Sequence, residues 1–325
     1  MLRTAVIGVG HLGKQHARIH AALAHEGRSQ FVRVCDIDQK RGAEIANEHQ
    51  VASSSNWRDL IGNVDAVSLA VPTESHAEIA CGLLGAGIHC LVEKPIAPTI
   101  AEADAMIATA RQGNSILQVG HTERFNPAMI ALRPHVRAPV YFEIHRVGQF
   151  TARSLDIDVV LDLMIHDLDI VQWLVGEDVE VTNVHAVGIP ILTNRVDAAN
   201  ARIEFATGAV ANITASRVGT EKIRKMRFFQ PRDYVVIDYA TNYASISNLA
   251  PSATSPWPGV RTQVLEVNEV EPLRAQIESF LDTASNRSRP SVSGEDGRRA
   301  LSLALRTLEQ IHEHTVRIAA AISPT

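Results

Sequence analysis

A doubly wound parallel α/β sheet, followed by an α+β domain with an open, mostly antiparallel sheet, is the fold this sequence predicts. Three observations carry that prediction. The chain opens as strand, glycine turn, helix; its first 120 residues alternate near-continuous apolar strands with helices; and from residue 138 long β-rich runs replace that alternation. Strands buried on both faces of a parallel sheet read as unbroken apolar runs, whereas one-sided antiparallel strands alternate.

Taken in order, the apolar run Leu2 to Ile7 leads into GVGHLG (residues 8–13) and then the helical stretch LGKQHARIHAALAHE. Glycines at this spacing, between a strand and a helix, suit a dinucleotide pyrophosphate. Gly8 permits the tight turn, Gly10 allows close approach of backbone to phosphate, and Gly13 lets the helix pack on the strand. His11 and Leu12 lie within the same turn, whose helix offers N–H groups and a positive dipole end. The next strand, FVRVCD, ends in Asp36. A carboxylate there accepts from ribose hydroxyls and repels a 2′-phosphate, which favours NAD over NADP, although Lys40 and Arg41 stand close by. Further strands are expected in VDAVSLAVP (64–72), IHCLVEKP (88–95) and SILQVG (115–120). Ligands on such sheets sit at the carboxyl ends of the strands, placing Thr73, His76, Glu93 and Lys94 beside a bound cofactor. Thr73 or Ser75 could equally cap the following helix, and His76 could be a first-turn surface histidine.

The second half gives VYFEIHRVGQF, VEVTNVHAVGIPIL, NARIEFATGAVANITASRV, MRFFQPRDYVVIDY and YASISNL as β-rich runs, interrupted only by a helix at 158–175. The Pro/Ser-rich NLAPSATSPWPGV (248–260) reads as a surface loop. Two helices close the chain, one with Pro272 in its first turn and one opening on a Ser-x-x-Asp pattern at Ser293. Domains are expected at 1–122 and 123–325.

The helix at 158–175 carries Asp162, His166 and Asp169 at i, i+4 and i+7, a polar stripe on an apolar helix. The stripe is either the wet side of an amphipathic helix or the lining of an active site. Asp162 and His166 have metal-compatible spacing, but no third and fourth ligands cluster nearby, so no metal is expected. Asp167 lies about 100° off the stripe and is read as structural. In GHTERFNP (120–127), Arg124 and Asn126 are candidates for substrate contact, the arginine suiting a phosphate or carboxylate; an interdomain salt bridge is the equal alternative. Arg146 and Arg153, in HRVGQFTARS, add cationic groups that hint at an anionic substrate.

Composition narrows the function classes. The 325 residues are 46% hydrophobic and 21% charged with a net charge of −5, which suits two globular domains and argues against a nucleic-acid or anionic-membrane surface. No apolar run approaches the ~20 residues that span a bilayer. The N-terminus lacks the pattern of a secretory signal. Cys35, Cys81 and Cys90 show neither disulfide nor zinc spacing, so reduced thiols in the cytoplasm are expected.

The glycine motif, VPTESHAEIACGLLGAGIHCLVEKP, DLMIHDLD and VSGEDGRRAL (292–301) together resemble the Gfo/Idh/MocA oxidoreductase family over essentially the whole chain. The resemblance implies a Rossmann domain and a sheet-based second domain, NAD(P)-dependent oxidation of a secondary hydroxyl, and a homodimer or homotetramer that buries the open sheet. It implies catalytic roles for Lys94, Asp162 and His166. A lysine can stabilise charge on the reacting oxygen, and a histidine has the intrinsic pKa of a general base. Which of Lys94 and His166 takes the proton stays open. Within the family, GH-x-ERFNP, RVG and D-x-x-x-H-D-x-D are most similar to members acting on the 3-hydroxyl of UDP-N-acetylglucosamine. A free sugar or inositol is the runner-up. A non-catalytic NAD-binding regulator is the alternative from another class, and the presence of all three proton-handling residues speaks against it.

Overall fold

The structure is a computed structural model that describes residues 1–150, 157–250 and 259–322. Its chain forms two compact units, Met1–Thr122 with Glu271–Leu301, and Glu123–Val270 with Ser302–Thr325. In the first, β1 (Arg3–Ile7), α1 (Gly13–His25), β2 (Gln30–Cys35), α2 (Gln39–His49), β3 (Ala52–Ser54), β4 (Ala66–Leu69), α3 (His76–Gly85), β5 (His89–Val92), α4 (Ile100–Gln112) and β6 (Leu117–Val119) alternate. The strands order as β3-β2-β1-β4-β5-β6, every pair parallel. Strand order reverses between β1 and β4, where sheets of this kind open a ligand crevice. Both β4 and β5 are buried at every position, the signature of a sheet covered on two faces. Asp38 caps α2 through the N–H of Arg41, and Thr99 caps α4 by accepting from the Glu102 N–H while its hydroxyl donates to the Glu102 carboxylate, so each cap satisfies a helix-end donor.

His20 lies in the interior of this unit, stacked on Phe31 with ring centroids 5.8 Å apart and Nε2 2.9 Å from Ser68 Oγ. Burial, aided by the nearby His16, pushes its pKa from 6.5 down to about 3. Between those values the unfolded chain binds a proton that the folded chain does not. The stability held by neutral His20 is therefore complete above about pH 6.5 and drains as pH falls. Unfolding free energy should drop by about 2 kcal/mol between pH 7 and pH 5 from this group, and His20→Gln should flatten the curve. Equal slopes for the two proteins in denaturant titrations would dismiss this account.

In the second unit come α5 (Pro127–Leu132), β7 (Tyr141–Val147), a π-helical turn (Val160–Met164) that runs into α6 (Ile165–Val175), then β8 (Val181–Ile189), β9 (Ala198–Phe205), β10 (Val210–Ser216), β11 (Ile223–Gln230), β12 (Asp233–Asp238), β13 (Tyr243–Ala250) and β14 (Gly259–Val264). The eight strands order as β14-β13-β12-β11-β7-β10-β9-β8. Only β7 and β10 pair in parallel; the remaining neighbours are antiparallel. One face buries Phe142, Ile144, Ile213, Met226, Phe228 and Ile237, with α5 against β12 and β13 and the π turn against β10. Phe229, Leu249 and Val260 remain exposed.

Three details differ from the sequence reading. Helix α5 is an addition, announced by Asn126 at its N-cap and Pro127 at its first position, favoured residues at both places. The stretch 248–250, read as loop, continues β13, while 251–258 lies outside the described residues. The helix expected from 158 begins at Val160, and its first turn is π rather than α, so the i, i+4, i+7 stripe loses its α-helical phase at the Asp162 end.

Helix α7 (Pro272–Asn286) returns to the first unit, where Ile277, Phe280 and Leu281 bury against Ile19, Leu23, Ala66 and Leu91. Each large side chain so buried contributes roughly 1.5–3 kcal/mol. The expected division at residue 122 placed this helix in the second domain, whereas it completes the core of the first unit. Helix α8 (Gly294–Ile322) begins with Ser293 and Asp296 exchanging hydrogen bonds. No helix among the described residues is long and apolar enough to cross a membrane. All three cysteines are free thiols; burial pushes Cys35 up to about 11 and raises Cys90 further, which leaves both unreactive.

Candidate active site

The glycine turn joins β1 to α1 in a geometry that separates its three glycines. Gly8 has φ +78°, and a Cβ there would lie 2.5 Å from the Ala70 carbonyl oxygen; at Gly13 it would lie 1.7 Å from the Gly8 oxygen. Gly10 has nothing within 4 Å of its would-be Cβ. The protein itself demands the first and last glycine, while the space over Gly10 is open to a ligand. No side chain caps α1 at Leu12, and Leu12 is 42% exposed. Open space over backbone at an uncapped helix start suits a pyrophosphate, so these residues fit a dinucleotide.

Asp36 follows β2 and is almost fully buried. Its Oδ2 accepts from the Val9 N–H at 2.8 Å and its Oδ1 from the Asp38 N–H at 2.9 Å, which ties the strand end to the glycine turn. Arg41 adds a bidentate pair, Nε to Oδ2 at 3.1 Å and Nη2 to Oδ1 at 2.8 Å. Burial alone would raise the Asp36 carboxyl, but the Arg41 and backbone hydrogen bonds outweigh it and hold the pKa below the usual range. All four lone-pair directions of this carboxylate are thereby in use. A ribose reaching Asp36 would have to displace Arg41, whose side chain is 45% exposed.

The Glu-Lys-Pro turn follows β5. Glu93 is buried, with Oε1 3.1 Å from His16 Nε2 on α1, and its Oε2 accepts from the backbone N–H of Lys94 at 3.3 Å. Desolvation pushes the Glu93 carboxyl up, yet His16 and Lys94 hold it below the ordinary value. A Cβ on Gly120 would meet the Glu93 carboxylate at 2.7 Å, so the absence of a side chain at 120 is what admits it. Lys94 is half-buried, and its bond to Pro95 is cis. Thr73 and Ser75 form a single 3₁₀ turn, and neither hydroxyl caps α3. His76 is no surface residue. Its Nδ1 lies 3.0 Å from Pro95 O and its Nε2 3.0 Å from Val71 O, and burial lowers its pKa. Both nitrogens face backbone carbonyls and the one that carries the proton donates, so His76 fixes the backbone after Lys94 or that before α3 rather than offering itself to a cofactor.

In the second unit the polar stripe divides. Asp162 and His166 are half-buried, whereas Asp167 and Asp169 are fully buried. Asp169 takes a bidentate pair from Arg124, Nη2 to Oδ1 at 2.6 Å and Nε to Oδ2 at 2.8 Å, with the guanidinium 5.1 Å from the Trp173 ring. Asp167 takes one from Arg146 at 2.7 and 2.8 Å, and Glu123 accepts from the third nitrogen of the same guanidinium at 2.7 Å. Arg124 and Arg146, expected at a substrate, are thus engaged in buried internal pairs. Asn126, also expected there, caps α5 and donates to the Tyr239 carbonyl at 3.3 Å. Arg153 lies outside the described residues. Asp162 lines a cavity of about 380 Å³ together with Arg146, Leu163, Arg217, Lys222 and Arg224. Sequence reasoning missed Lys222 and Arg224, and equally His16 and Gly120. A histidine three residues past Gly13, on the inward face of α1, was the available signal for His16. Among the described residues no cluster of His, Cys, Asp and Glu could hold a metal ion.

Residues 2–121 match the oxidoreductase family GFO_IDH_MocA, NAD-binding Rossmann fold, and residues 129–230 match the GFO/IDH/MocA C-terminal domain. Over 305 residues the chain is 40% identical to UDP-N-acetylglucosamine 3-dehydrogenase of Acidithiobacillus ferrooxidans, covering 94% of this chain and 95% of that protein. The chain belongs to the Gfo/Idh/MocA oxidoreductase family. A solved structure of the Acidithiobacillus enzyme superposes on this Gfo/Idh/MocA oxidoreductase with a TM-score of 0.89 at 39% identity, covering 95% and 97% of the two chains. Inositol 2-dehydrogenase 1 of Saccharopolyspora erythraea is more distant, 30% identical over 57% of each chain. Levoglucosan dehydrogenase, solved with NADH and levoglucosan, shares the fold at a TM-score of 0.85 and 20% identity. The family places this chain among dehydrogenases, with a first domain of NAD-binding type.

Proposed function

We propose that this enzyme oxidises the 3-hydroxyl of UDP-N-acetylglucosamine, using NAD in preference to NADP. The 40% identity to the Acidithiobacillus dehydrogenase, sustained over 94% of the chain, carries the reading. The Asp36 carboxylate supports the choice of NAD, because a 2′-phosphate beside it would meet a like charge; the cost of displacing Arg41 falls on either cofactor.

Bound NAD supplies the hydride acceptor. Gly8, Gly10, His11, Leu12 and Gly13 would hold its pyrophosphate and Asp36 its ribose, with Thr73, Glu93 and Lys94 at the strand ends. The rest of the chemistry is proton handling. Lys94 stabilises charge on the reacting oxygen, His166 is a general base by its intrinsic pKa, and Asp162 orients a substrate hydroxyl or the base. Exposed Phe229, Leu249 and Val260 on the outer sheet face favour a homo-oligomer that covers them, which solution mass would report. Free, unreactive thiols suit a reducing cytoplasm.

The decisive experiment offers NAD or NADP with UDP-N-acetylglucosamine, free N-acetylglucosamine and myo-inositol, following reduced cofactor by absorbance. Turnover should appear with the nucleotide sugar and run faster with NAD. Reduced cofactor formed only with the free polyols would sink the assignment and favour an inositol-type activity.

A further inference from the structure

The cavity that Asp162 lines lies at one end of the second sheet, on its helix-bearing face. In the β7–β11 register Arg224 stands directly opposite Arg146. Arg217 leaves the end of the adjoining β10, and Lys222 precedes β11. Four cations therefore converge on about 380 Å³ of space. Like charges opposite one another across strands cost stability, so each cation needs an accounting.

Two of them have one within the fold. Arg146 is held by Asp167 and Glu123. Arg217 donates to Asp197 Oδ1 at 2.7 Å and to the Ile157 carbonyl at 2.8 Å. Asp197 in turn accepts from the N–H groups of Ile191, Leu192 and Thr193. Asp167 and Asp197 are fully buried and the Glu123 side chain is 12% exposed. The Arg224 side chain, half-buried, and that of Lys222, exposed, make no ion pair or hydrogen bond among the described residues. Among the described residues the acid that acts on Arg224 is the buried Asp167, whose two oxygens are already taken by Arg146; a dianionic ligand would answer the charge that is left. An arginine on β11 two residues past a lysine that precedes the strand matches the two charges of a diphosphate.

We infer that Lys222 and Arg224 form a diphosphate subsite, which seats a nucleotide sugar with its sugar ring directed toward Asp162. This rests on the nucleotide-sugar reading above and moves the anion contact away from Arg124 and Arg146, which the fold already employs. The subsite makes the diphosphate, rather than the base or the sugar, the main source of binding energy.

The test is calorimetric titration of the full chain with UDP, and with uridine as the phosphate-free control. Lys222→Ala and Arg224→Ala should each weaken UDP roughly tenfold, and the double variant more, with uridine binding the same in all; tenfold is about 1.4 kcal/mol. Raising salt should weaken UDP more in the wild-type protein than in the double variant. Equal UDP affinity in wild type and double variant, or no UDP binding by the wild-type protein, overturns the subsite. Failure of the substrate reading looks different: UDP binding that depends on Arg224, without turnover of any UDP-sugar, removes the assigned reaction and leaves the subsite in place.

Discussion

Lys94→Ala should lower turnover by roughly 10²- to 10⁴-fold, the range a positioned proton-handling group supplies. The lysine follows the last strand before β6, at the strand-end level where a doubly wound sheet binds its ligand. Glu93 is pinned by His16 and admitted by Gly120, and it accepts the Lys94 backbone N–H. The backbone of the turn is therefore fixed by groups other than the lysine side chain, and truncating that side chain removes chemistry while sparing the scaffold. NAD affinity, read by quenching of protein fluorescence, should stay within a few-fold, because the glycine turn and Asp36 carry most of it. Full turnover by the variant would overturn the assignment of Lys94.

The largest expected effect on stability comes from Asp167. Its carboxylate is completely buried, and burial pushes its pKa up against the pull of Arg146. Asp167→Ala would strand the Arg146 guanidinium with only Glu123 in an environment where both arginine and acid are almost wholly removed from water. Breaking one side of a buried pair costs about 3–5 kcal/mol, whereas replacing both sides with apolar groups of similar size is often neutral. Urea denaturation should therefore show a loss of that size for Asp167→Ala and recovery of most of it only when the arginine's third partner is neutralised too, in Glu123→Gln/Arg146→Met/Asp167→Leu. A loss under about 1 kcal/mol, as for an exposed pair, would mean that the pair is not the anchor of β7 to α6. The triple variant separates two roles of Arg146: recovered stability with UDP binding weaker than in the wild-type protein would tie the arginine to the cavity as well as to the fold.

The parts legible in the sequence are those whose physics is local. A glycine turn needs its glycines within six residues, and a parallel strand announces itself by an unbroken apolar run, so β1, β2, β4, β5 and their helices could be placed before any coordinates. The same holds for the Ser293–Asp296 capping pair. What was not legible depends on partners far apart in the chain. Arg124 and Arg146 read as candidate ligands for an anion because a sequence displays a charge without displaying its counter-ion. Asp169 and Asp167 lie 45 and 21 residues away from them. Conversely, nothing marked Lys222 and Arg224, whose importance lies in having no such partner among the described residues. The phase of the stripe on the DLMIH helix was not legible for a third reason. A π turn adds a residue to the turn that carries Asp162, and an α-helical wheel cannot represent it.

Helix α7 has a consequence for the order in which the protein is made. The parallel sheet and its first four helices leave the ribosome early, yet Ile19, Leu23 and Leu91 await Ile277, Phe280 and Leu281. Between them lies the second unit, about 150 residues of translation, which at roughly 5–20 residues per second is a wait of order ten seconds. Through that interval every residue of the glycine turn and of the Asp36 clasp is already synthesised, while the apolar partners of Ile19, Leu23 and Leu91 are not. Synthesis order therefore leaves the cofactor-binding end finished before the core beneath it is sealed. That window is when a dinucleotide, or a holding chaperone, has the most to contribute to the fate of the chain.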